Sequence, residues 1–258
     1  MEGTVQLSIA QFSLIYILLL IVLFIMKRSH IEKTKLLLIA SIRMTVQLVL
    51  IGFVLQYIFE NPNPLLTSLF LSIMVAFSIH RVLSTRKDLN KKFKIIVSVS
   101  LAVSGLSVLF YFVGVVVGKG IFNPQYTIPL AGMIIGNAMT GLTLGLKTFM
   151  ENIKLQRRKI DTLTNLGVSP KNILKPMINN ALEASLLPTL NTMLGLGIIF
   201  LPGMMTGQIL AGTLPTTAIM YQIAIYVAIC TSVCLSVFCS LKIGYRTLYN
   251  DKNQFVGI

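Results

Sequence analysis

The chain has 258 residues, of which 55% are hydrophobic and 12% charged, with a mean hydropathy of +0.81. That composition is too apolar for a soluble core, and the chain is too long for a single anchor, so it predicts a polytopic membrane protein. The net charge of +14 would suit a nucleic-acid binder, but the basic residues are placed as topology signals and exclude that class.

Seven stretches have the length and apolarity of membrane-spanning helices: residues 7–26, 36–59, 65–83, 93–117, 128–146, 181–201 and 216–241. Continuous apolar runs without strict alternation exclude a barrel, so the expected fold is all-α, one permease-like domain over residues 1–258. The chain begins Met-Glu-Gly, with no basic n-region and no small-residue cleavage site, which predicts that the first span is retained. Lys27, Arg28, Lys33 and Lys35 follow span one, six basic residues from Arg81 to Lys94 follow span three, seven from Lys147 to Lys175 follow span five, and Lys242, Arg246 and Lys252 follow span seven. Only Lys119 lies on the opposite side and Arg43 within a span, which predicts an outside N-terminus, a cytoplasmic C-terminus and attraction to anionic lipid in the inner (cytoplasmic) cell membrane.

Span two carries Arg43 and, one turn on, Gln47. Two roles are open to Arg43: an ion pair with Glu183 at the cytoplasmic start of span six, or snorkelling along its own stem to the interface. His30 and His80 fall at cytoplasmic membrane edges without a partner motif. Span five holds Asn137 and Met139, together with Gly132/Gly136 and Gly141/Gly145 at the four-residue spacing of a helix-packing face. Its GNAMTGLTLGLKT run imitates a phosphate-binding loop, but Leu follows Gly141 where Lys is required, and the run lies inside a span.

The longest connection, residues 147–180, faces the cytoplasm. Phe149, Met150, Ile153, Ile160, Leu163 and Leu166 have helical spacing, so span five is expected to continue as one helix to about Leu166. Gly167 supplies a stop, Ser169 a cap, Pro170 a first helical position, and Pro176 a kink or an end. The expected shape is a helical elbow below the bilayer.

Span six adds Asn191 and Met193, and the segment after it reads LPGMMTGQILAG. Pro202, Gly203, Met204, Met205, Gly207 and Gln208 there suit either a re-entrant or interfacial half-helix acting as an outer gate, or a glycine turn that packs spans six and seven. Cys230 and Cys234 share a face of span seven, as packing residues or a soft-metal pair, and Cys239 follows. No span holds a His/Asp/Glu cluster with metal-ligand spacing, and thioethers are poor ligands for iron, so a substrate path would rely on Asn, Gln and adaptable Met side chains.

Asp161-Thr-Leu-Thr-Asn-Leu-Gly167 followed by Val168-Ser169-Pro170 resembles the acidic-x5-Gly coupling loop of ABC transporter permeases. With IPLAGMIIGNAMTG, LLPT, LPGMMTGQILAG, YQI and the Arg43/Gln47 to GFVLQYIF run, the chain is similar across nearly every span to the bacterial iron-export ABC permease family, which has an aluminium-tolerance permease among its plant relatives. This chain has Asp161 where many coupling loops carry Glu, and Thr-Leu where they carry Ala-Ala. The resemblance implies a non-enzymatic permease, working as a homodimer in the bilayer with a separate ATPase subunit. Asp161, Leu163, Leu166, Gly167, Val168, Ser169 and Pro170 would make the contact. ATP and Mg would bind the ATPase, and this chain would bind no cofactor. The exported substrate would be iron or another metal. An ion-coupled secondary transporter or channel is the alternative, with Glu183 nearly its only membrane carboxylate, and a membrane scaffold is a third.

Overall fold

The computed structural model describes residues 8–86 and 89–250. Leu7, Lys87, Lys252 and the Met-Glu-Gly start, all used above, lie outside the described residues. Those described are helical: α1 (Ile9–Arg28), α2 (Thr34–Glu60), α3 (Pro64–Ser84), α4 (Lys91–Tyr111), α5 (Pro124–Leu155), α6 (Arg157–Asn165), α7 (Pro170–Gly195), α8 (Gly203–Leu210) and α9 (Pro215–Gly244). A π-helical turn (Phe112–Val116) extends α4, and a 3-10 turn (Tyr245–Leu248) follows α9. Local chemistry sets many of the starts. Ser8 and Gln11 form a reciprocal capping box on α1, the side chains of Asn63, Asn90 and Asn123 cap α3, α4 and α5, and proline occupies the first turn of α3, α5, α7 and α9.

Six helices are long and apolar enough to cross a membrane: α1, α2, α3, α4 with its π turn, α5 and α9 with its 3-10 turn. The expected seventh, α7, has 26 residues but contains Asn179, Asn180, Glu183 and two internal prolines, so its hydropathy is lower. Pro176 does not end it, and it stops at Gly195 rather than near residue 201. The stop is built around that glycine. The amide N–H groups of Ile198, Ile199 and Phe200 all donate to the Gly195 carbonyl, and a Cβ at Gly195 would lie 2.6 Å from the Phe200 ring.

The body is formed by α3, α4, α5, α7 and α9, with α5 and α9 at its centre. One core, outer in the sense of lying toward α8, joins Leu109, Phe112, Ile134, Ile135 and Ile225, and a second, inner one, toward α6, joins Phe93, Phe149, Ile153, Ile160, Leu174 and Leu248. Their register comes from glycine. A Cβ at Gly141 would lie 2.5 Å from Val233 of α9 and 3.4 Å from the Ser185 carbonyl of α7; one at Gly145 would lie 2.9 Å from Val237 and 3.4 Å from the Ala181 carbonyl. Gly141 and Gly145 are therefore the expected packing pair, whereas Gly136 has open space beside it. The α1–α2 hairpin stands apart: α1 rests chiefly on α2, joined by a hydrogen bond between the Tyr16 and Thr45 hydroxyls, and both helices are mostly exposed.

A chamber between three helices and an elbow beneath them

α5, α7 and α9 border an open cleft of about 120 Å³ lined by Asn137, Thr140, Ser185, Thr189, Thr192 and Tyr226, among others, with Asn137 and Thr140 exposed at its mouth. That volume is the share of about four liquid waters. By the Gly141 and Gly145 register the cavity lies near the middle of the bundle's membrane-spanning height. Its hydroxyls are oriented by their own helices. Thr140 donates to the Gly136 carbonyl at 3.0 Å, Thr192 to Pro188 at 2.9 Å, Ser185 to Leu182 at 2.7 Å, and the Asn137 amide to Met133 at 2.7 Å. With those hydrogens committed to backbone carbonyls, the side-chain oxygens keep their lone pairs free. Such a site accepts N–H and O–H donors or a hard, hydrated cation, and presents no ionised group.

Of the expected path residues, Asn137 lines this chamber, while Met139 is packed against the inner core and Asn191 is exposed on α7. Thr140, Ser185, Thr189, Thr192 and Tyr226 were missed. Single hydroxyls in apolar runs look like ordinary helix packing, and only the convergence of three helices distinguishes them. Among the described residues no group of three or more His, Cys, Asp or Glu could hold a metal, and Cys230, Cys234 and Cys239 are free and half-buried along α9.

The outer segment forms a helix. α8 packs on α9, with Met204 against the outer core and Met205 and Gln208 half-buried, while Gly203 and Gly207 have open space around them. Extending the Ser185–Gly141–Val233 register places the end of α7 level with Ile223, eight residues or about 12 Å below the outer start of α9 at Pro215. α8, also eight residues, connects the two and packs on α9.

Arg43 makes no ion pair with Glu183. Its guanidinium lies over the Phe77 ring of α3, 5.9 Å from the centroid, because α2 sits against α1 and α5 while α7 sits against α5 and α9. Arg43, Gln47 and Glu183 are all exposed.

At the end of the bundle away from α8 the helix expected to run unbroken to Leu166 breaks at Gln156, and α6 begins at Arg157. The break lets Ile160 enter the inner core beside Ile173 and Leu174, with Leu163 and Val168 packed on the same cluster. Gly167 closes α6 with a φ of 81°: its N–H donates to Thr164 and that of Val168 to Leu163, both at 3.0 Å, which is a Schellman ending. Ser169 caps α7 through its carbonyl rather than its side chain, accepting from Asn172 and Ile173. Asp161 pairs with Arg157 at 3.1 Å. Tyr249 reaches the elbow from the end of the described chain. Burial pushes its phenol above the ordinary range, opposed by a hydrogen bond with Thr164 and by the Arg157 charge. The elbow is thus fixed to the bundle, with Leu166 left 73% exposed at its turn.

The Uncharacterised protein family (UPF0014) matches residues 9–249. The chain is 31% identical over 214 residues to the probable iron export permease protein FetB of Escherichia coli, covering 83% of this chain and 82% of that protein. It is 32% identical over 217 residues to the UPF0014 membrane protein YjkA of Bacillus subtilis (83% and 84% covered), and 34% identical over 186 residues to Protein ALUMINUM SENSITIVE 3 of Arabidopsis thaliana (71% and 66% covered). No solved structure matches. A membrane-protein fold of apolar helices and this agreement along nearly the whole chain lead to one assignment: the protein belongs to the UPF0014 family.

Proposed function

We propose that this chain is the membrane subunit of an ABC exporter in the cytoplasmic membrane, moving iron or another hard metal ion outward with energy from a separate ATPase. The observation that carries this reading is the α6–Gly167–α7 elbow, a short helix closed by a Schellman turn, anchored through Ile160 and presenting Leu166 outward. A cytoplasmic partner needs such a rigid, protruding contact to convert its own closure into movement of α5 and α7. In this reading α7 is the seventh crossing, completed on the outer side by α8, and the chain runs from an outside N-terminus to a cytoplasmic C-terminus. ATP and Mg bind the partner. The chamber of acceptor oxygens supports a hard cation as cargo, and α8 serves as its outer gate. The name of the Escherichia coli relative supports iron.

The test is ATPase activity of the chain reconstituted in lipid vesicles with its cognate ATPase, titrated with Fe(II), Fe(III)-citrate, Cu(I) and Zn(II), for wild type and Gly167→Pro. Stimulation by iron that disappears in Gly167→Pro supports the reading. Failure to form a complex with any ATPase would sink it and favour an ion-driven carrier.

A further inference from the structure

One face of α7 is exposed along its length. Pro176, Asn180, Glu183, Leu187, Leu190 and Leu194 follow one another at spacings of four and three residues, and every one of them is exposed, the three leucines by 47, 43 and 80%. Alternating four and three is the seam by which one helix packs its knobs into the holes of another, yet among the described residues no helix covers it. Lipid is a poor cover. By the register of Ala181 with Gly145 and Ser185 with Gly141, Glu183 lies one to two turns inside the level of Lys147 and Lys242, where carboxylates face protein or water rather than acyl chains. Immediately beyond Leu194 the backbone leaves the helix while Ile198 and Ile199 remain exposed, and irregular backbone within the bilayer is likewise tolerated only under protein cover.

We propose that a second copy of this chain packs along this α7 seam, about a two-fold axis parallel to the membrane normal, so that the two Glu183 carboxylates and two Asn180 carboxamides form an oxygen-lined cation site. This rests on the permease reading and gives it a cation site that neither copy contains alone. A closed two-fold contact is self-complementary, so each seam residue meets its own counterpart at the same height. At the height of Glu183 that places like charges together, an arrangement stabilised by a cation between them. Carboxylates and carboxamides are hard ligands, suited to Fe(II) or Mn(II) and not to soft Cu(I). Leu187, Leu190 and Leu194 then close the axis on the outer side as an apolar constriction. A site divided between copies also accounts for the absence of any three-residue ligand cluster among the described residues of one chain.

The test uses the full chain in nanodiscs with Cys230, Cys234 and Cys239 replaced by Ala. Leu190→Cys should cross-link to a dimer on oxidation with copper phenanthroline, whereas Val103→Cys, exposed on α4, should not. Calorimetric titration with Mn(II) should give one ion per two chains. Glu183→Gln should weaken that binding at least tenfold while leaving the Leu190→Cys cross-link intact. A monomeric Leu190→Cys, equal cross-linking from Val103→Cys, one ion per chain, or unchanged Mn(II) binding in Glu183→Gln would each overturn the proposal. Failure here with a working ATPase complex rejects the α7 site alone. Cross-linking and Mn(II) binding without any ATPase partner reject only the ABC reading.

Discussion

Asn90 and Thr247, 157 residues apart in the chain, are joined at the α6 end of the bundle: the Asn90 amide donates to the Thr247 carbonyl at 2.9 Å and to its hydroxyl at 3.2 Å. The Asn90 carbonyl oxygen at the same time caps α4 by accepting from the Phe93 N–H at 2.7 Å. Asn90→Ala removes cap and clasp together and should cost about 1–3 kcal/mol. Asn90→Asp keeps the cap acceptor and loses the donors, so its cost should be smaller. Thermal unfolding midpoints in detergent micelles check the order; equal losses would show that the cap contributes nothing, and an unchanged Asn90→Asp that the clasp contributes nothing.

Gly141 should tolerate no side chain. Its missing Cβ leaves room for Val233 at 2.5 Å, so Gly141→Ala must push α5 and α9 apart, at about 1–3 kcal/mol. Val233→Ala in the same molecule should recover part of that loss. A double-mutant cycle reads the recovery as coupling, and simple additivity would disprove the contact.

Leu166→Asp should separate docking from folding. Leu166 is exposed at the elbow, so the unfolding midpoint should stay within about 0.5 kcal/mol of wild type. If the elbow docks an ATPase subunit as proposed, retention of that subunit on an affinity column should fall at least tenfold, since a charge would replace an exposed apolar side chain at the turn. Ile160→Ala, by contrast, empties a buried position and should cost about 2–4 kcal/mol.

Asn137→Leu and Thr140→Val remove acceptors from the chamber without creating a cavity. Metal-stimulated ATPase activity should fall at least tenfold, while basal activity and the unfolding midpoint are retained. Equal loss of basal and stimulated activity would assign these residues to packing.

The helices α1 to α5 and α9 were legible because about twenty apolar residues between charged loops admit few structures in a bilayer. The Schellman stop at Gly167 and the start at Pro170 were legible for a similar reason, since their chemistry is local. The end of α7 was not: the apolar run continues through Leu201, while the chain turns extended at Leu196 and left-handed at Gly197, with the Phe200 ring folded onto Gly195. The break at Gln156 was also hidden, because Ile160 and Leu163 fit an unbroken helix in sequence and find their core only when α6 turns. Arg43 and Glu183 matched in depth, but depth says nothing about which neighbour a helix has around the bundle. The chamber depended on the same information, three helices meeting at Asn137, Ser185 and Tyr226.

The separateness of the α1–α2 hairpin bears on how the protein is made. α1 and α2 precede the rest of the described bundle as a pair in which α1 rests chiefly on α2, with the Tyr16–Thr45 bond closing the pair internally. They can be released into the bilayer at once. α7, with Asn179, Asn180 and Glu183, is less apolar than these and is packed by α5 and α9, so if it crosses the bilayer as proposed, its insertion depends on α9, which follows it in the chain.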